Sequence, residues 1–167
     1  PALRERYDLT LLDVRDTNRQ GEQIPDIQIA NLTDENRAAY RHHFQGADAL
    51  VHMAFVGNPN PQQGFKPELA NVAMAHNVYQ TAFEENVGRV IVASSNHAAD
   101  YYEPLILAGE FDTVDPDKRA LSDNYYGWAK EAYEHLGFVF AVGKVQGRPL
   151  ANVQLRIGGP RETDVDR

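Results

Sequence analysis

Apolar runs of strand length alternate along this chain with segments of helical period, and that alternation restricts it to a parallel sheet wound with helices. The strand-like runs are Asp8 to Asp13, Asp26 to Ala30, Ala49 to Ala54, Val90 to Ser94 and Asn152 to Arg156. Most lack strict alternation of apolar and polar residues, the pattern of strands covered on both faces. Between them, Thr33 is placed to cap a helix ending before Gly46. Leu69, Val72, Ala73, His76, Gln80 and Phe83 recur at three- and four-residue intervals, giving a mostly apolar stripe on a second helix. A third helix is predicted from about Ser122 to Phe140. The connections 57–67 and 100–121 are long enough to suggest functional loops.

The N-terminal end is unusual. Leu3 to Tyr7 reads as the tail of a helix feeding the first strand, yet no strand or glycine-rich turn precedes it. A doubly wound sheet ordered 3-2-1-4-5-6 keeps its first strand at the centre. Without that strand, the two runs before Ala49 have no neighbour joining them to the later ones. The expectation is therefore a Rossmann-like α/β sheet lacking its first strand, in a natural protein that begins some tens of residues earlier.

At 167 residues, with 43% hydrophobic and 24% charged residues, the chain suits one globular domain over 1–167. Its net charge of -8 and pI near 5.2 argue against nucleic acid or an anionic membrane as partner. No apolar run approaches the ~20 residues of a membrane-spanning helix. The absence of cysteine excludes disulfides and thiolate chemistry and fits a cytoplasmic location. His42, His43 and His52 have no cysteine or carboxylate–histidine cluster beside them, so no metal site is expected.

Chemistry concentrates in two segments. Ser95 closes an apolar run, and Tyr126-Gly127-Trp128-Ala129-Lys130 puts a phenol one helical turn before an ammonium. A free phenol loses its proton near pH 10. A cation ~4 Å away, at an effective dielectric of ~20, stabilises the phenolate by up to about 4 kcal/mol. Tyr126 is thus suited to accept a proton, and Ser95 to hold a substrate oxygen beside it. Tyr125 competes with Tyr126 but has no lysine at i+4.

At these residues the chain resembles the extended short-chain dehydrogenase/reductase family, which includes NAD-dependent epimerases, dehydratases and sugar dehydrogenases. Within it, Ser95-Asn96-His97 is most like the uronate dehydrogenases and related archaeal sugar dehydrogenases. The resemblance covers nearly the whole chain. It implies NAD as cofactor, Ser95, Tyr126 and Lys130 as catalytic residues, Lys130 also on a ribose hydroxyl, and Asn96 and His97 (with Ser95) on a sugar substrate. It also implies Asp13 on the adenosine ribose, Asn31 and Leu32 beside the adenine, Met53 and Ala54 under the cofactor, and Asn71 near the nicotinamide. A carboxylate at Asp13 favours NAD over NADP.

Departures from the family pattern are the absent glycine-rich phosphate loop, Met74-Ala75 in place of Gly-Thr, and Gly57 where uronate dehydrogenases often carry serine. The chain also stops soon after Pro160, before the family's substrate cap. A homodimer packed through the second and third helices is a further implication of the resemblance. Three functions remain open: an NAD-dependent sugar or sugar-acid dehydrogenase, a nucleotide-sugar epimerase or dehydratase that retains NAD, and a non-catalytic nucleotide sensor of the same fold.

Overall fold

In the computed structural model, which describes residues 3–18, 20–60 and 64–158, five parallel strands divide between two sheets. β1 (Leu11–Asp13) pairs with β2 (Ile27–Ile29), while β3 (Ala49–His52), β4 (Arg89–Ser95) and β5 (Asn152–Ile157) form the second sheet in that order. Among the described residues no ladder joins β1 to β3. Numbered as a sheet of order 3-2-1-4-5-6, the break falls where strand 1 belongs.

One face of the larger sheet makes the core. Val90 and Val92 of β4 are fully buried, and α1 (Phe65–Glu84) and α3 (Tyr125–Val142) cover them with Met74, Val78, Tyr79, Tyr133 and Phe140. Tyr79 stacks on Phe140 with ring centroids 5.1 Å apart, locking the two helices together. The opposite face is open, contrary to the two-sided coverage expected from the strand pattern. Register puts Val51, Ile91 and Val153 side by side there, with Leu155 next to Ala93, and Val51, Val153 and Leu155 are about half exposed.

Two helix expectations are corrected. Residues 33–46 form two short 3-10 turns, Arg37–Ala39 and Arg41–Phe44, interrupted at Tyr40. Thr33 caps neither of them, because its N–H and hydroxyl both bond Asn31 Oδ1. Only Tyr40 and Phe44 anchor this segment in the core, too few to hold a continuous amphipathic helix.

On α1 the inward face is Glu68, Asn71, Met74, Ala75, Val78, Tyr79, Thr81 and Ala82, whereas Leu69, Ala73 and His76 of the expected stripe are exposed. Polarity hid the true face. Glu68 and Thr81 are buried because each is bonded inside, Glu68 by Asn58 Nδ2 at 2.9 Å and Thr81 Oγ to the Asn77 carbonyl at 2.7 Å.

The long connection after β4 is partly helical. Residues 96–102 make a 3-10 segment that runs into α2 (Glu103–Leu107). α3 starts at Tyr125, three residues later than expected, because Asn124 rather than Ser122 caps it: Asn124 Oδ1 accepts the Gly127 N–H at 3.0 Å.

Candidate active site

β4 delivers Ser95 to the carboxyl edge of the larger sheet, where the backbone leaves the strand for the 3-10 segment. Ser95 Oγ accepts the His97 N–H at 3.2 Å and donates to Asn96 Oδ1 at 3.3 Å. The preceding hydroxyl, Ser94 Oγ, donates to Glu134 Oε1 of α3 at 2.8 Å, and Glu134 also holds Arg156 of β5 in a two-pronged pair at 2.8 and 2.7 Å. Strand ends and helix are thereby tied into one frame around Ser95.

α3 delivers the other two groups. Asn124, its cap, donates to Asp100 Oδ2 at 2.8 Å, and Asp100 pairs with His97 Nδ1 at 2.9 Å. This chain of contacts sets the first turn of α3 against the 3-10 segment, and Gly127 makes the approach possible. A β-carbon there would overlap the His97 carbonyl oxygen and Ser122 Oγ. The Tyr126 ring meets the edges of His97 and Phe55, at 5.5 and 5.7 Å between centroids.

One turn on, Lys130 is 6% exposed and donates from Nζ to the Ala93 carbonyl of β4 at 3.1 Å. The ammonium is 5.4 Å from the Tyr126 ring centroid, 4.7 Å from that of Tyr133 and 5.5 Å from that of Phe55. Burial brings its pKa down to about 8, with the charge of Glu68 opposing the fall. Ser95 is two residues from the carbonyl that holds Lys130 and two from the ring that touches Tyr126. All three candidate catalytic residues thus share one corner of the sheet.

The candidate cofactor residues lie at other strand ends. Asp13 ends β1 exposed, and its Oδ1 accepts the Arg15 N–H, leaving Oδ2 without a partner among the described residues. Met53 and Ala54 follow β3 on the surface. Asn31 spends its carboxamide oxygen on Thr33, and Leu32 is in the core with its carbonyl bonded by Asn77. Asn71 is fully buried and grips both backbone groups of Val56, so any effect on a bound cofactor passes through the 53–57 segment.

Asp13, Met53, Ala54 and Ser95 all stand at the carboxyl ends of parallel strands, where open α/β sheets bind ligands. The carboxylate at the end of β1 and the buried ammonium beside the end of β4 are groups whose chemistry suits hydroxyl partners such as riboses.

Several residues of this corner escaped the sequence reading. Phe55, Glu68, Asp100, Asn124, Glu134 and Arg156 are not singled out there, and His52 is weighed only as a metal ligand. Two signals were readable: Asn124 three residues before Gly127 as a helix cap, and Glu134 four residues after Lys130 on the same helix face.

His52 is 4% exposed, and among the described residues its Nε2 has no partner. Burial, reinforced by the Lys130 charge, lowers its pKa to about 4. The unfolded chain therefore takes up a proton below pH 6.5 that the native state refuses. This contribution to stability is complete above about pH 6.5 and is lost as pH falls through 4, to the extent of roughly 3 kcal/mol. Acid titration of unfolding midpoints should show this slope in the native sequence and a shallower one in His52→Gln.

The comparisons decide the family. The model of the NAD-dependent epimerase/dehydratase family matches residues 2–143. The chain belongs to that family. It is 31% identical over 164 residues to an L-arabinose 1-dehydrogenase (NAD(P)(+)) of Haloferax volcanii, covering 94% of this chain and 59% of that protein. It is 30% identical over 134 residues to a uronate dehydrogenase of Pseudomonas syringae pv. tomato, covering 80% and 43%.

Among solved structures, a short-chain dehydrogenase/reductase superfamily protein of Agrobacterium tumefaciens with bound NAD superposes with a TM-score of 0.68 at 21% identity, over 93% of this chain and 43% of that one. That likeness shows the Rossmann-like fold. The epimerase-family chain spans about half the length of the curated relatives it matches.

Proposed function

We propose that this chain carries the catalytic corner of an NAD-dependent dehydrogenase acting on a hydroxyl of a sugar or sugar acid. The observation that carries the reading is the buried Lys130 ammonium beside Tyr126, held by the strand that ends in Ser95. Sugar dehydrogenases among the relatives at about 30% identity support this reading over epimerisation.

Tyr126 Oη accepts the proton of the substrate hydroxyl, and Ser95 Oγ donates a hydrogen bond to the same oxygen as it becomes a carbonyl. Lys130, with Asp13, would hold ribose hydroxyls of the cofactor. NAD, when bound, supplies the acceptor for the hydride leaving the substrate carbon. His97 and Phe55 wall the Tyr126 ring and keep it aimed at the sheet edge. The reading includes a homodimer through α1 and α3, which expose Phe65, Leu69, Tyr125 and Phe138.

NADH absorbance appearing when the natural protein meets NAD and an aldose or uronic acid is the expected result. Tightly retained NAD with no net NADH from any free sugar would transfer the proposal to an epimerase or dehydratase.

A further inference from the structure

A cleft of about 420 Å³ opens beside the end of β4, between the 3-10 segment, α2 and the end of β5. Its size falls within the ~300–1,000 Å³ of small-molecule sites. Asn96, the residue after Ser95, forms part of the wall, together with Asp100, which is paired to the His97 that touches Tyr126. The cleft therefore adjoins the segment that carries Ser95 and His97, while Ser95, Tyr126 and Lys130 themselves are not among its described lining residues.

The charges of its wall select what can enter. Among the described residues Arg156 is the one cation in the lining, and its Nε and Nη2 donate to Glu134 in the two-pronged pair. That pair is neutral overall. Asp100 keeps its carboxylate in the wall with His97 and Asn124 as donors, and Glu103 is exposed there with no side-chain partner among the described residues. The described lining thus offers two carboxylates as hydrogen-bond acceptors, and its one cation is charge-paired with Glu134, so the wall is net negative. Hydroxyl donors find partners in such a wall, whereas a carboxylate or phosphate meets like charge. Ile106 and Val114 supply an apolar side for the C–H edge of a ring.

We infer that this cleft binds an uncharged aldose and discriminates against the corresponding uronic acid and sugar phosphate. The inference rests on the dehydrogenase reading for the location of the reacting carbon, and on the charge of the cleft wall for the substrate class.

The test compares D-glucose, D-glucuronate and D-glucose 6-phosphate, and D-galactose with D-galacturonate, by kcat/KM in the natural protein and by calorimetric binding to its Tyr126→Phe variant. The neutral sugar of each set should lead its acid and its phosphate by at least about 10-fold in both measurements. Added salt should narrow that lead, as charge repulsion is screened. Glu103→Gln should raise the uronates relative to the aldoses.

Acid or phosphate binding as well as the neutral sugar, or no binding of any of them, overturns the inference. Neutral sugars bound preferentially without NADH formation would sink the dehydrogenase reading and leave the cleft assignment standing.

Discussion

Tyr126→Phe should lower kcat by about 10³-fold or more while leaving NAD affinity within a few fold. The expected size follows from deleting the proposed proton acceptor, since positioned acid–base groups contribute ~10²- to 10⁴-fold. Removal of one oxygen leaves the ring packing against His97 and Phe55 intact, so the site keeps its shape. Steady-state NADH formation reads the first effect and calorimetry with NAD the second. Tyr125 cannot take over: it is 41% exposed and packs on Phe65, with Ala129 rather than a cation four residues on. Retention of a tenth of the native rate in the Phe variant would remove Tyr126 from the mechanism.

Replacement of Lys130 by methionine should have two separable consequences. Turnover should fall by about 10²- to 10³-fold, the scale of losing a charge aimed at a developing anion. Stability should also lose a specific pH dependence. In the native state burial holds the Lys130 pKa near 8, against 10.5 in the unfolded chain, so between those values the unfolded chain binds the extra proton. Unfolding free energy therefore rises with pH across the 8 to 10.5 window, by up to about 3 kcal/mol, and Lys130→Met should flatten that rise.

Above pH 10 the sign reverses. Burial raises the phenols of Tyr79, to about 12, and of Tyr133, so the native state keeps protons that the unfolded chain sheds, and stability falls again. Denaturant titrations from pH 7 to 11 on both proteins measure the difference. A rise of equal size in the methionine variant would assign it to other groups.

The location of the candidate site was legible because the signals are local and directional. A run of Val90-Ile91-Val92-Ala93-Ser94-Ser95 has to become a strand, and a tyrosine and lysine four apart share one side of a helix wherever that helix packs. Strand order and the break in the sheet were also readable, since right-handed parallel crossovers leave few arrangements. The inward face of α1 was not readable. Hydropathy put Leu69 and His76 inside, whereas the fold buries Glu68 and Asn71, whose partners Asn58 and Val56 come from a separate segment.

The amino-acid sequence by itself determined the α/β class, the five parallel strands and the three candidate catalytic side chains, because each depends on residue order within a few positions. The tertiary structure decided the environment of those side chains. Lys130 loses its water only where Ala93, Phe55 and Tyr133 close over it, and Arg156 ceases to be a free cation only where Glu134 reaches it. Desolvation and pairing depend on which distant segments meet, and no local pattern in the chain encodes that meeting.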